Sequence, residues 1–172
     1  MVLRPEPFFD AVAAVRERYP EEEDHVALLC PRGRRLDYEV VTELVGAGRI
    51  ILLCGRYEGV DERVREGLVD SEISIGDFVL TGGELPAMMV IDAVSRFVPG
   101  VLGQETAAQQ DSFSGEWLDF PQYTRPGSFR GMEVPDVLRS GDHAAIDRWR
   151  GEKAREATRD RRPDLLSENG TS

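Results

Sequence analysis

Two uninterrupted apolar runs constrain this chain most: Val26–Cys30 (VALLC) and Ile50–Leu53 (IILL). Each is short enough for a strand and bounded by turn residues, so each reads as a buried strand rather than part of a helix. Helix-type patterns alternate with them. Phe8, Val12, Val15 and Tyr19 recur at helical spacing over Phe8 to Tyr19, which Pro20 and the acidic run Glu21–Asp24 bring to an end. Leu36 to Val45 reads as a second helix, closed by Gly46 and Gly48. Asp61 to Leu68 reads as a third, with Asp61 as its N-cap. Val69 to Ile75 and Phe78 to Leu80 read as short strands. Glu84 to Phe97 reads as a long apolar helix with Pro86 in its first turn, where proline is tolerated. Met1 to Pro7 reads as irregular. Alternating strands and helices predict a parallel sheet with helices on both faces.

Two glycine-bearing loops interrupt this pattern. Leu53-Cys54-Gly55-Arg56-Tyr57-Glu58-Gly59-Val60-Asp61 follows one strand, and Ser74-Ile75-Gly76-Asp77-Phe78-Val79-Leu80-Thr81-Gly82-Gly83-Glu84-Leu85-Pro86 follows another. Glycine at such places admits positive φ and lets backbone approach a ligand closely. Two such loops in one small α/β domain predict a pocket walled by backbone. No GxxxxGK[ST] phosphate loop is present, because the Gly82-Gly83 pair lacks a following lysine.

Composition narrows the function classes. The net charge is −11 over 172 residues, which on its face opposes nucleic-acid binding. Contacts, however, depend on local patches. Two basic clusters exist, Arg32 to Arg35 and Arg148 to Arg162, and on charge alone both read as solvated surface. Cys30 and Cys54 each end an apolar run and offer neither a disulfide framework nor metal spacing. His25 and His143 share no motif, and Ser112 has no histidine beside it, so a nucleophilic triad has little support. No apolar run approaches bilayer length and no signal-peptide pattern opens the chain, so a cytoplasmic, non-membrane protein is expected. After Gly103 the chain turns polar through Gln104–Ser112. It then becomes aromatic and proline-rich over Trp117 to Pro126, and a helix is expected from about Ala144 to Ala157.

Taken together, these segments resemble the bacterial tRNA (guanine-N1)-methyltransferase (TrmD) family. The resemblance is carried by CGRYEGVDERV (Cys54–Val64), SIGDFVLTGGELPAM (Ser74–Met88), VSRFVPGVLG (Val94–Gly103), DSF (Asp111–Phe113), YTRP (Tyr123–Pro126), GMEVPDVLRSGDHAAIDRWR (Gly131–Arg150) and RRPDLL (Arg161–Leu166). It implies a SPOUT-type fold, a deep trefoil-knotted parallel sheet with flanking helices, plus a small helical C-terminal module. Residues 1–103 are then the cofactor-binding domain, 104–120 a mobile linker and 121–172 the tRNA-binding module. The implied reaction is methyl transfer from S-adenosylmethionine to N1 of guanosine at tRNA position 37, by a homodimer with interface active sites and assistance from Mg2+.

The resemblance also implies roles for individual residues. Asp111 stands where the family has its catalytic base. Arg96 matches an arginine thought to assist at the guanine, and Glu58 faces the donor or orders the site. The donor pocket is expected from Leu28, Leu29, Cys30, Pro31 and Gly33, then Gly55, Tyr57 and Glu58, then Ser74, Ile75, Gly76, Phe78, Leu80, Gly82, Gly83 and Pro86. Arg56, Ser112, Tyr123, Arg125, Arg148 and Arg150 are expected to meet tRNA. No residue is assigned to a metal. The plainer readings are an Asp111 helix cap or loop residue, Arg96 compensating a helix dipole, Glu58 pairing with Arg63, and Trp149 packing in the core.

The chain departs from the family pattern in three places. Phe78 replaces a frequent tyrosine, and Cys30 and Arg32 replace commoner polar residues. Family members begin with a further strand and a glycine-rich stretch, so the chain is expected to lack that first part. This motivates a second reading, a non-catalytic module that binds donor or partner without turnover.

Overall fold

The central strand of the protein is the VALLC run, and it is buried from both sides. In the computed structural model, which describes residues 1–21, 23–102, 111–115 and 117–167, two compact units are present: Met1–Glu105 and Thr106–Ser172. Residues 103–110 and 116, much of the expected linker, lie outside the described residues.

In the first unit the order is α1 (Glu6–Arg18), β1 (Asp24–Arg35), α2 (Tyr38–Val45), β2 (Arg49–Cys54), α3 (Glu62–Leu68), β3 (Ser71–Ser74) and α4 (Glu84–Ser95). The sheet order is β2-β1-β3, and both pairings are parallel. Asp24 to Leu29 run beside Arg49 to Cys54 in register. Alternation along β1 sends successive side chains to opposite faces. Ala27 and Leu29 pack with Val40 and Leu44 of α2 and with Ala87 and Val90 of α4. Val26 and Leu28 pack with Val12 of α1 and Val64 of α3. Two core layers therefore share one strand.

Helix starts follow local chemistry. Asp37 caps α2 by accepting from Val40 N, and Asp61 caps α3 by accepting from Arg63 N, satisfying donors that a helix N-terminus leaves unpaired.

Three expectations need correction. β1 does not end at Pro31. It leaves its ladder and rejoins it, with Leu29 and Arg34 both opposite Ile73 of β3, so Cys30–Gly33 loop out. Phe78 to Leu80 form no strand; Val79 is 80% exposed there, because this apolar run lies in the loop before α4 rather than beside a sheet edge. Helix α1 starts at Glu6 rather than Phe8, and the irregular Met1–Leu3 segment ahead of it is pinned: Leu3 bridges Val60 in parallel, with Leu3 N donating to Gly59 O at 2.9 Å and Asp61 N to Leu3 O at 3.0 Å.

The second unit holds the hairpin β4 (Ser128–Phe129) and β5 (Met132–Glu133), then α5 (Asp136–Arg139), α6 (His143–Arg161) and α7 (Asp164–Ser167). Arg130 and Gly131 turn the hairpin at φ 54° and 80°, the twist that two-residue hairpin loops favour. α6 runs past the expected Ala157. Asp142 caps it by accepting from Ala145 N. Its buried Thr158 hydroxyl donates to Ala154 O and accepts from Leu118 N at 2.8 Å, tying the preceding segment to the helix.

Two predictions follow from this packing. Asp24 sits at the foot of β1 with its side chain only 9% exposed, holding Arg16 at 2.9 Å and Arg49 at 3.2 Å. Burial alone would raise its pKa, but hydrogen bonds from both guanidiniums outweigh that and leave it lowered. A carboxylate with a lowered folded pKa contributes stability above its unfolded value and loses it as pH falls through the folded one. Asp24→Asn is expected to cost roughly 2 kcal/mol at neutral pH and to flatten the loss of stability below the ordinary carboxylate range. Denaturant titrations across pH check both. In α6, a Cβ at Gly151 meets nothing within 4 Å outside the helix's own backbone. Gly151→Ala is expected to stabilise the second unit by about 0.5–1 kcal/mol, read from its unfolding midpoint.

Candidate functional site

All three parallel strands deliver their carboxyl ends to one side of the sheet, where α/β proteins place ligands. A cavity of about 280 Å³ opens there. Leu29, Cys30 and Pro31 wall it from β1, and Gly55 to Gly59 from the loop after β2. Ile73, Ser74, Ile75 and Phe78 to Leu80 come from β3 and its loop, and Gly82, Gly83 and Pro86 from the entry to α4.

The loops take these paths for identifiable reasons. After β2 the chain turns through Tyr57 at φ 59° and Gly59 at φ 112°, and the Met1–Leu3 segment pins it. After β3, Ser74 Oγ accepts from Gly76 N and donates to Gly76 O, closing a tight turn. The two loops then lock together. Gly83 N donates to Gly55 O at 2.9 Å, and Arg56 bridges Gly82. A Cβ at Gly83 would stand 2.7 Å from Cys54 Cα, so only glycine lets α4 begin so close to the end of β2.

Charge is paired around the mouth. Arg56 Nε donates to Glu84 Oε1 at 2.6 Å, which joins the two loops a second time and lowers the Glu84 pKa. Asp61 is held at about 2 by the Arg63 guanidinium. Arg63 thus pairs with Asp61 rather than with Glu58, the partner expected in the plainer reading. Cys30 Sγ donates to Glu72 Oε2 at 2.9 Å, and burial together with that bond pushes its thiol up to about 11. Burial and nearby Glu84 push Cys54 up as well.

Most of the residues expected at a donor pocket meet at this one cavity, but three do not line it. Leu28 is buried in the layer with Val12 and Val64, because β alternation turns it away from Leu29. Gly33 lies hard against the backbone of Glu72 and Ile73, where a Cβ has no room. Gly76, at φ 147°, makes the turn beneath the Phe78 ring. In exchange the wall includes Arg56, Gly59, Ile73 and Val79.

Of the other expected residues, Arg96 is the exposed C-cap of α4. Asp111 and Ser112 belong to the second unit. The Asp111 carbonyl accepts from Ser114 N and Oγ, and Ser112 Oγ accepts from Asp119 N.

That unit has its own cavity of about 500 Å³, lined among others by Phe120, Tyr123, Arg125, Arg139 and Arg150. The Arg150 guanidinium lies 4.8 Å over the Phe120 ring. Tyr123 sits 6.2 Å from Trp149, which is half-buried in keeping with a packing role. Arg148 is exposed on α6 and does not line the cavity. Phe120 and Arg139 also line this cavity, and the aromatic run around Phe120 is their one signal in the sequence.

Among the described residues no group of three His, Cys, Asp or Glu side chains is placed to hold a metal ion, so the expected Mg2+ finds no cluster there. Among them too, no helix is long and apolar enough to cross a membrane.

The chain matches the family model described as tRNA (Guanine-1)-methyltransferase TrmD over residues 1–168. It is 58% identical over 168 residues to a tRNA (guanine-N(1)-)-methyltransferase of Anaeromyxobacter sp. (strain Fw109-5), covering 96% of this chain and 66% of the relative. It is 57% identical to the protein of that name from Geobacter sulfurreducens, covering 96% and 67%, and 54% identical to that from Staphylococcus carnosus, covering 97% and 67%. The chain thus spans about two thirds of the length of these curated relatives. A backbone-walled cavity at the carboxyl ends of a parallel sheet and a match along nearly the whole chain agree: the chain belongs to the tRNA (guanine-1)-methyltransferase family.

Proposed function

We propose that the protein transfers a methyl group from S-adenosylmethionine to N1 of guanosine at position 37 of tRNA, in the cytoplasm. The observation that carries this reading is the cavity built by three loops in a chain of this family. Its wall fits the donor's chemistry. Leu29, Ile75, Phe78, Leu80 and Pro86 offer apolar surface for an adenine, and the backbone of Gly82 suits its polar edge. Glu58 offers a carboxylate to the donor's ammonium. When bound, the donor supplies a methyl group on a positively charged sulfur.

The protein's own residues meet the guanine's needs. N1 carries a proton at neutral pH, so its lone pair becomes a nucleophile only as that proton leaves. We assign Asp111 as the base that accepts it. Charge then spreads to O6, where the fixed cation of Arg96 is suited to stabilise it. In the second unit, Phe120, Tyr123, Arg125, Arg139 and Arg150 combine ring faces with guanidiniums, a set that suits an unstacked loop of RNA despite the net charge of −11. Ser112, Arg148 and Arg56 extend that contact in this reading.

The reading includes the SPOUT-type deep trefoil knot and a homodimer that completes each site. What supports the dimer is an apolar strip on α4 and the loop before it. Leu85, Met88 and Met89 recur at helical spacing opposite the buried Ala87 and Val90, and Val79 continues the strip at the cavity. A second copy of this chain is the occupant we assign to it, and sedimentation gives its mass.

Labelled methyl groups are expected to transfer to a tRNA transcript with guanosine at position 37 and not to one with adenosine there. Asp111→Asn is expected to lower kcat by roughly a hundredfold or more without changing donor affinity, the size of a lost general base. Equal activity in that variant would remove Asp111 from the chemistry. Gly83→Val drives side-chain atoms into Cys54, so it is expected to weaken donor binding in calorimetry. Unaltered affinity would take this cavity out of the reading.

A further inference from the structure

Four residues within β1 leave its ladder beside the cavity. Leu29 and Arg34 both face Ile73, so Cys30–Gly33 have no ladder partners, yet Cys30 and Pro31 line the cavity. Proline has no N–H to donate. Side chains tie the excursion to its surroundings.

A closed circuit of side chains does this. Cys30 Sγ donates to Glu72 Oε2 at 2.9 Å. The other oxygen of Glu72 lies 3.0 Å from Arg65 Nε, and Arg65 Nη1 lies 3.4 Å from Glu62 Oε1. Arg32 Nη2 then donates to Glu62 Oε2 at 3.3 Å, returning the circuit to the excursion where it began. The centre of the circuit is shielded: the side chains of Glu72 and Arg65 are 24% and 21% exposed, against 56% for Glu62 and 65% for Arg32. Arg65 Nε is buried without an aligned hydrogen bond, so its contact with Glu72 is one of charge. Glu72 does not line the cavity.

We propose that Glu72 is a positioning residue for the methyl donor: Cys30 on one of its oxygens and Arg65 on the other hold the Cys30–Gly33 wall in the shape the donor packs against. This rests on reading the cavity as the donor site. A carboxylate serves both partners at once. An amide cannot, because its oxygen can accept from Cys30 only by turning its NH2 toward Arg65, and the reverse orientation abandons Cys30. The raised thiol pKa agrees with Cys30 remaining a donor at neutral pH.

The test is Glu72→Gln in the full chain, with Arg65→Met as a second break in the same circuit. S-adenosylmethionine binding is measured by calorimetry, donor KM and kcat by methyl transfer. Iodoacetamide labelling at mildly alkaline pH is read by peptide mass spectrometry, with Cys54 as internal control. Losing one such bond is expected to raise the donor Kd and KM about three- to tenfold with kcat unchanged. Cys30 is expected to label faster, since its thiol pKa falls from about 11 while burial keeps it above the ordinary value, and Cys54 is expected to label as before. The double variant is expected to lose little more than either single one, as members of one circuit do.

Unchanged donor affinity in both variants overturns the proposal. So does faster labelling of both cysteines with a lowered melting temperature, which marks general loosening. A wild-type protein that binds no S-adenosylmethionine overturns the donor reading itself, whereas a wild-type protein that binds it beside an equally tight Glu72→Gln variant overturns this inference alone.

Discussion

Everything in the first unit depends on burying one strand from both sides. β1 presents Ala27 and Leu29 to α2 and α4, and Val26 and Leu28 to α1 and α3. Val26, Leu28 and Leu29 each contribute on the order of 1.5–3 kcal/mol when fully buried. No single helix could collect that energy, because each covers only one face. The strand therefore requires helices on both sides, and parallel neighbours satisfy that requirement. A parallel arrangement also has a consequence for function. It sends the ends of β1, β2 and β3 to the same edge, so three loops converge with no further device. The cavity is a by-product of the core's symmetry.

What shapes that cavity is close backbone approach. Gly83 is buried within a Cβ's reach of Cys54 Cα, and Gly33 is pressed against Glu72 and Ile73. Glycine costs backbone entropy on folding, roughly 0.5–1 kcal/mol relative to alanine. At these two positions the cost is offset by contacts that any side chain would forbid. The exposed Arg56–Glu84 pair works differently. A surface ion pair contributes little to stability, so its importance lies in joining two loops that Gly83 N and Gly55 O have already brought together.

Much of this was legible in the chain itself. The VALLC and IILL runs, the helix caps at Asp61 and the glycine loops depend on local patterns, and local patterns survive folding. The errors share one cause, dependence on what lies alongside. β1 reads as ending at Pro31 because proline stops a ladder, but the strand rejoins β3 beyond its excursion. That register slip is written in no single segment. Phe78 to Leu80 read as a strand from their apolar character, but among the described residues no strand pairs with them. Leu28 adjoins Leu29 in sequence, but the two-residue period of a strand puts them on opposite faces. Glu72 and Arg65 carry no local signal, since a glutamate and an arginine are commonplace in a sequence until the fold brings Glu72 to Cys30 and Arg65 to Glu72.

The two units divide the chemistry in a way the charge balance makes sense of. The chain is acidic as a whole, yet the cavity of the second unit gathers Arg125, Arg139 and Arg150 among aromatic rings. Strong long-range attraction to a polyanion would favour any nucleic acid. In the function proposed above, an acidic body with an arginine-lined recess relies instead on short-range fit, with ring faces for bases and guanidiniums for phosphate or base edges. On that proposal, such a surface gives up encounter rate and nonspecific affinity in exchange for discrimination by fit. The same logic governs the first unit, where apolar surface and backbone rather than charge line most of the cavity. If both cavities serve the proposed function, selection in each rests on shape, and the shape of the first depends on Glu72 and Arg65 behind the wall as well as on the residues that form it.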